Sequence, residues 1–205
     1  MRFMIRAVVL TVTVSLVPLA AVHAQCTNLT GSPAPVFQQY ASNKIKLKYL
    51  GTGPGSNDDQ PQLFKSTFQA PTLTFNPATT TYVTVTLWRN MVSGPMLWNT
   101  TIPPSPTLWS SVTLGNGTVR WKFNDPLVTY GVRKAQVNAI PGGTFIIVKL
   151  LGKFQNIANA PLTTPNADVA DAMVEMHDGA GNGFCYDGPS APCTGSGNTQ
   201  TCKAF

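Results

Sequence analysis

Short runs of alternating apolar and polar residues, separated by turn-forming residues, extend along most of this chain. In the clearest run, residues 80–89, one set of alternating positions is aliphatic and the other is rich in threonine. The first set is Val83, Val85 and Leu87, and the second is Tyr82, Thr84, Thr86 and Trp88. A period of two residues is typical of a β-strand, because successive side chains point to opposite faces. We therefore predict a strand with its aliphatic face inward and its threonine-rich face outward.

Residues 44–50 show the same alternation, with lysines in place of threonines. Ile45, Leu47 and Tyr49 occupy one set of positions, and Lys44, Lys46 and Lys48 occupy the other. This pattern predicts a strand whose lysines lie in solvent. A row of lysines also favours the edge of a sheet, where charge prevents pairing with other chains.

Two hairpins are predicted in the middle of the chain. Residues 108–114 and 118–123 are joined by Gly-Asn-Gly, which adopts positive φ easily. Residues 131–140 and 144–153 flank a Pro-Gly-Gly turn, and the second of these strands is apolar on nearly both faces, which indicates a central position. Residues 91–106 are interpreted as a proline-rich connection.

Residues 167–177 (ADVADAMVEMH) fit two structures. Acidic residues at helical spacing lie opposite apolar ones, which would make a short amphipathic helix. As a strand, the same segment would direct Val174 and Met176 inward. Because it follows a run of hairpins, a strand over residues 172–177 is favoured.

These patterns predict an all-β fold, an antiparallel β-sandwich over residues 25–177. Residues 178–205 form a tail rich in cysteine and glycine. This tail has little to bury, so disulfides are expected to hold it in place. Composition agrees, because 17 glycines, 17 prolines and only 11% charged residues suit a turn-rich β-protein.

The first 24 residues have the features of a cleaved secretory signal. Arg2 and Arg6 precede an apolar stretch, and Val22-His23-Ala24 provides the residues that signal peptidase needs. The apolar stretch is too short and too rich in hydroxyl residues to span a membrane. We therefore predict cleavage near Ala24 and a secreted protein, extracellular or periplasmic, with no transmembrane segment.

The chain carries a modest positive charge. It has 14 basic and 8 acidic residues, and loss of Arg2 and Arg6 with the signal leaves a net charge of +4. The basic residues are spread along the sequence without the clustering typical of nucleic-acid-binding proteins, so no nucleic-acid partner is predicted. A mild positive field would favour acidic surfaces, polysaccharides or cell-surface components.

Four cysteines lie outside the predicted central strands. They are Cys26, Cys185, Cys193 and Cys202. An even number in an exported chain indicates two disulfides, with three possible pairings. Zinc is not expected, because the chain has neither C-x-x-C pairs nor nearby histidines.

A glycine-rich loop at residues 51–60 contains Asn57, Asp58 and Asp59, whose oxygens would suit calcium. The same residues fit an ordinary turn, and the sequence leaves both interpretations open. No cofactor is predicted, because this loop precedes no helical pattern of the kind that binds nucleotides. No other metal is predicted, because the chain has one histidine beyond residue 24.

Residues with catalytic chemistry are scarce. Beyond residue 24 the chain contains one histidine, His177, and one glutamate, Glu175. No G-x-S-x-G sequence surrounds a serine, which argues against a serine hydrolase of that kind. We therefore predict no catalytic site, and a hydrolase that uses Glu175 and an aspartate is the distant alternative.

Aromatic residues offer the remaining chemistry. Trp88, Trp98 and Tyr82 are the possible ligand-binding residues, because exposed aromatic rings stack on sugars, whereas Trp109 and Trp121 are assigned to the core. The first hypothesis is a secreted or cell-surface, non-catalytic protein that acts through its surface, as a structural or adhesive subunit or a ligand binder. The alternative is a carbohydrate-binding module, and self-assembly through exposed strand edges is also considered.

One stretch carries a family resemblance. It consists of Trp121-Lys-Phe-Asn-Asp125, then Gly131-Val-Arg-Lys134, a Pro-Gly-Gly turn and Phe145-Ile-Ile-Val-Lys149. Residues 118–155 thereby resemble a unit of uncharacterised secreted bacterial β-sandwich proteins, in which W-x-[YF]-x-D is followed by G-[VI]-[KR]-K and a strand ending in Gly-Lys. The resemblance implies a β fold and a bacterial, exported setting, and it implies no activity.

Overall fold

The computed structural model describes residues 37–39, 42–48, 59–68, 75–89, 95–140, 146–153, 155, 169–181, 183–187, 191–196 and 198–204. All secondary-structure elements within these residues are strands, which confirms the all-β prediction. The strands are β1 Phe37–Gln39, β2 Ser42–Lys48, β3 Gln60–Phe68, β4 Tyr82–Arg89, β5 Met96–Ile102, β6 Trp109–Thr113, β7 Val119–Asn124, β8 Val132–Ala139, β9 Ile146–Gly152, β10 Val169–His177, β11 Gly183–Asp187, β12 Ala191–Ser196 and β13 Thr199–Ala204.

Neighbouring strands form one continuous sheet with two parts. Sheet A has the order β1-β11-β10-β4-β5, and sheet B has the order β12-β13-β2-β3-β9-β8-β7-β6. Strand β12 joins them, because it pairs both with the beginning of β10 and with β13. Every pairing between the described strands is antiparallel except that of β1 with β11.

Sheet B has one apolar face, and its strand register explains why. Directly opposed residues from seven neighbouring strands form a row that is buried throughout. From β13 to β6 these residues are Cys202, Ile45, Leu63, Leu150, Ala135, Phe123 and Trp109. Because the side-chain period is two, the residues next to this row point to the opposite face. The lysines of β2 therefore point away from the core, as predicted.

Sheet A contributes its aliphatic face to the same core. The predicted inward residues of β4 are buried and lie opposite apolar residues of β10. The pairs are Val83 with Met176, Val85 with Val174, and Leu87 with Ala172. Residues of both sheets belong to a single cluster of buried hydrophobic side chains.

The segment that fitted either a helix or a strand is a strand, β10, which confirms the interpretation favoured for residues 172–177. It pairs with β4 along one side and with β11 and β12 along the other. All residues from Ala170 to Met176 are buried. Strand β9 does lie inside sheet B, but among the described residues it is β10 and the middle of β4 that are buried on both faces.

The structure corrects three sequence-based expectations. Strand β2 is not an edge strand, because it lies between β13 and β3. Strand β5 lies within the segment interpreted as a proline-rich connection. The cysteine-rich tail is not held by disulfides alone, since it supplies strands β11 to β13, and Ala191, Cys193 and Cys202 are buried in the core.

Residues of the 118–155 unit shape the turn between β7 and β8. The carboxylate of Asp125 accepts the backbone N–H groups of Leu127 at 3.0 Å and Thr129 at 2.5 Å. Gly131 has a φ of 71°, in the left-handed region that favours glycine. Trp121 is half-buried and packs edge-on against Phe75, with ring centroids 6.3 Å apart. These contacts give the unit a structural role.

Candidate functional site

Two stacked rings lie where β10 ends and β4 begins. Tyr82 and His177 are directly opposed in the strand register. Their ring centroids are 5.2 Å apart, and the ring planes are 7° from parallel. Both residues are half-buried, so the pair keeps contact with solvent. The register of a single strand pair thus brings together residues that are far apart in the sequence.

Hydrogen bonds fix the orientation of the His177 ring. Its Nδ1 donates to the carbonyl oxygen of Asp178 at 2.9 Å, since a carbonyl oxygen can only accept. Its Nε2 lies 3.5 Å from Oγ1 of Thr84, which in turn lies 2.9 Å from Oγ1 of Thr101. The ring is therefore held flat against Tyr82.

An open groove of about 410 Å³ lies beside this pair, and we call it the Tyr82 groove. Its lining residues are Thr79, Thr80, Tyr82, Pro104, Asp178, Gly179 and Ala180. The lining combines one aromatic ring, two hydroxyls and one carboxylate with small residues that leave the ring accessible.

Three turns form the walls of the Tyr82 groove. In the turn before β4, the carbonyl oxygen of Asn76 accepts the backbone N–H groups of residues 79–81 at 2.9–3.2 Å. The N–H of Ser105, after β5, donates to the carbonyl oxygen of Pro77 at 3.1 Å and ties the second turn to the first. In the third turn, Oδ1 of Asp178 accepts the backbone N–H of the residue two positions later at 2.9 Å. The walls are therefore formed before any ligand binds.

The groups in the Tyr82 groove match those that recognise neutral saccharides. An aromatic ring packs against the C–H face of a sugar, while a few polar groups fix its orientation through its hydroxyls. Thr79 and Thr80 are exposed, and Asp178 is half-buried. All three residues line the groove together with Tyr82.

The possible ligand-binding residues named from the sequence do not lie together. Tyr82 lines the groove, whereas Trp88 is half-buried at the other end of β4, about 20 Å away along the strand. Trp98 points into the core, is 5% exposed, and donates from Nε1 to Oε1 of Gln155 at 3.0 Å. Trp98 therefore offers no exposed ring, and of the three residues only Tyr82 lines this groove.

The other residues that line the Tyr82 groove could not be predicted from the sequence, because they come from three separate turns. Thr79 and Thr80 follow an Asn-Pro turn, and Asp178 begins an Asp-Gly-Ala-Gly turn. Turn residues indicate a loop but not which loops meet in space. The pairing of β4 with β10 brings the first and third of these turns together.

The threonine-rich face of sheet A is buried around its middle, which corrects the prediction that it lies in solvent. Thr84 is 1% exposed and Thr86 is 2% exposed. Glu175, opposite Thr84, is fully buried, and Asp171, on the same strand, is 2% exposed. A fully buried carboxylate does not reach a substrate in this conformation, so the hydrolase alternative based on Glu175 gains no support.

The disulfide prediction is confirmed for one pair. Cys193 and Cys202 are directly opposed on β12 and β13 and are bonded to each other. Cys185 is also disulfide-bonded. The remaining cysteine of the sequence, Cys26, lies outside the described residues.

Three other predicted features concern metals and export. In the described part of the chain, no group of three or more histidine, cysteine, aspartate or glutamate residues is placed to hold a metal ion. Most of the possible calcium loop, residues 51–58, and the predicted signal, residues 1–24, lie outside the described residues. Asp59 is buried, and its backbone pairs with that of Gln155 at 2.8 and 3.0 Å. A search of the described residues for helices long and apolar enough to cross a membrane found none.

Comparison of the chain with protein-family models, curated proteins and solved structures found no match.

Proposed function

We propose that this chain is a non-catalytic exported protein that acts through its surface, and that the Tyr82 groove binds a neutral saccharide. The observation that carries the proposal is the groove, in which a ring, two hydroxyls and a carboxylate line one concave site. Small-ligand sites are usually concave and largely preformed, with a few well-placed polar groups. The ring proposed to stack on the sugar is therefore that of Tyr82 rather than that of a tryptophan.

The positions of three acidic residues, Asp125, Asp171 and Glu175, support a function without catalysis. Glu175 and Asp171 are buried inside sheet A. Asp125 is also buried, and its carboxylate accepts backbone N–H groups within a turn. Paired carboxylates that hydrolyse a glycoside must flank the bound sugar. These three carboxylates are occupied in the folded structure or removed from solvent.

Export and architecture belong to the same proposal. A signal at residues 1–24 with cleavage near Ala24 would deliver the chain to an oxidising compartment, where the Cys193–Cys202 bond persists. The bacterial setting rests on the resemblance of residues 118–155. A sandwich arrangement of sheets A and B is supported by the core that they share.

Replacing Tyr82 is expected to weaken saccharide binding about fivefold or more, because the stacked ring contributes about 1 kcal/mol or more beyond its buried area. The measurement is affinity electrophoresis of the oxidised mature protein through gels that contain xylan, mannan or hydroxyethylcellulose. Tyr82→Leu removes the ring. Gly179→Leu should give the same loss by filling the groove, since a Cβ at Gly179 would lie 3.8 Å from the Tyr82 ring.

The matched control is Val112→Ala, which shortens an exposed side chain on sheet B and should bind as the wild type does. The saccharide proposal fails if none of the polysaccharides retards the wild type, or if both groove variants are retarded equally with it. Ordered filaments in electron microscopy of such a non-binding protein would instead favour the structural-subunit hypothesis.

A further inference from the structure

Charge is divided unevenly between the two sheets. The strands of sheet B contain no aspartate or glutamate, whereas Asp171, Glu175 and Asp187 lie on strands of sheet A. The basic residues on the strands of sheet B are Lys44, Lys46, Lys48, Lys65, Arg120, Lys122, Arg133, Lys134, Lys149 and Lys203. Basic residues that are far apart in the sequence thus lie together in sheet B.

The register places several of these residues on the outer face of sheet B. Gln136 of β8 is directly opposed to Lys149 of β9 and to Lys122 of β7. Lys134 lies two positions from Gln136 on the same strand and therefore points to the same face. Neighbouring strands are about 4.8 Å apart, so the backbones of Lys149 and Lys122 are roughly 10 Å apart. All three lysines are exposed.

A groove of about 310 Å³ crosses β3, β9 and β8, and two of these lysines, Lys134 and Lys149, line it. Its lining residues are Gln62, Leu63, Lys134, Ala135, Gln136, Lys149, Leu150 and Leu151. We use the name basic groove for it. It combines two ammonium groups and two amides with a half-buried leucine, Leu151, and no acidic residue is among the described residues that line it.

We infer that the basic groove binds an acidic polysaccharide. Lys134 and Lys149 pair with the carboxylates or sulfates of the polymer, and the amides of Gln62 and Gln136 donate to and accept from its hydroxyls. Leu151 offers apolar surface to the C–H groups of a sugar ring. The site is on a different sheet from the Tyr82 groove and does not depend on it.

The same face is less suited to nucleic acid. Proteins that bind single strands combine basic residues with aromatic rings on which the bases stack. The register places Trp109, Trp121 and Phe123 on the opposite, core-facing side of β6 and β7, and none of the described residues that line the basic groove is aromatic. Amide side chains interspersed with lysines favour a polymer rich in hydroxyls.

The test compares two double variants that remove the same charge from sheet B. Lys134→Gln/Lys149→Gln removes both ammonium groups of the basic groove and keeps polar side chains of similar length. Lys48→Gln/Lys203→Gln removes two charges from β2 and β13, on the other side of β3. Binding to polygalacturonate is measured by isothermal titration calorimetry at 50 and 200 mM salt, with dextran and oligo-deoxythymidine for comparison.

We expect the groove variant to bind polygalacturonate about tenfold more weakly than the wild type at low salt, because two charge pairs are lost. The control variant should lose less than about threefold, and Tyr82→Leu should bind as the wild type does. Added salt should weaken wild-type binding, because exposed ion pairs are screened. The inference is overturned if both double variants lose equally, which would indicate net charge alone. Tighter binding of oligo-deoxythymidine than of polygalacturonate, or no binding of polygalacturonate, would also overturn it.

Discussion

Gly131→Ala is expected to lower the free energy of unfolding by about 2–4 kcal/mol. The residue has a φ of 71°, and an alanine held in this region stores roughly 1–3 kcal/mol of strain. Its Cβ would also collide with the side-chain amide of Gln155. That amide is not free to rotate away, because it accepts from Nε1 of Trp98 at 3.0 Å and donates to the carbonyl oxygen of Lys153 at 3.0 Å.

The hydrogen bond from Trp98 connects β5 of sheet A with the chain that follows β9 of sheet B. Displacing Gln155 breaks it, at a cost of about 1 kcal/mol or more for the buried indole N–H. Urea denaturation followed by fluorescence measures the change. In a Gln155→Ala background, Gly131→Ala should cost only the backbone strain.

The matched control for this prediction is Gly115→Ala in the β6–β7 turn. A Cβ there meets nothing within 4 Å, and Gly115 is not among the glycines with positive φ. We expect its effect to stay within about 1 kcal/mol. Equal costs for Gly131→Ala with and without Gln155 would contradict the proposed contact.

Phe123→Ala is expected to cost about 3–5 kcal/mol, the range for phenylalanine truncation in a packed core. Phe123 is 2% exposed and lies in the buried row of sheet B between Trp109 and Ala135. Its ring centroid is 5.2 Å from that of Trp109. Removing the ring leaves a cavity in the core, which the surrounding side chains fill only in part.

Val112→Ala on the same hairpin is the control for Phe123→Ala. Val112 is 47% exposed, so its truncation should change stability by about 0.5 kcal/mol or less. Both variants are compared by their urea midpoints at an unchanged slope. A cost below about 1 kcal/mol for Phe123→Ala would mean that the buried row does not form the core of sheet B.

Local sequence patterns were sufficient to predict about half of the described strands. The period-two alternation identified β2, β4 and the strands from β6 to β9. In β2 and β4 the alternating aliphatic residues are buried in the core. Strand β5 was missed because prolines flank it at residues 95 and 103. Prolines are typical of connections, and β5 is stabilised by pairing with β4, which the local sequence does not encode.

Long-range pairing explains the other differences. The lysines on β2 are typical of an edge strand, but β13 pairs with β2 and makes it an inner strand. The threonines on β4 are typical of an exposed face, but β10 pairs with β4 and places Glu175 opposite the buried Thr84. Neither candidate groove could be predicted from local sequence patterns, because the lining residues come from different turns or from different strands.

The central claim is that the Tyr82 groove is the ligand site, and the imidazole of His177 tests it most directly. His177 is the one histidine beyond residue 24, so its ring gives a single set of imidazole NMR signals in the mature protein. Its ring lies 5.2 Å from that of Tyr82. The measurement is a titration of the oxidised mature protein with xylohexaose, mannohexaose and cellohexaose. We expect at least one of them to shift the His177 signals saturably, and Tyr82→Leu to abolish the shift. A saccharide that binds while leaving these signals unmoved, or no binding by any of the three, would contradict the claim.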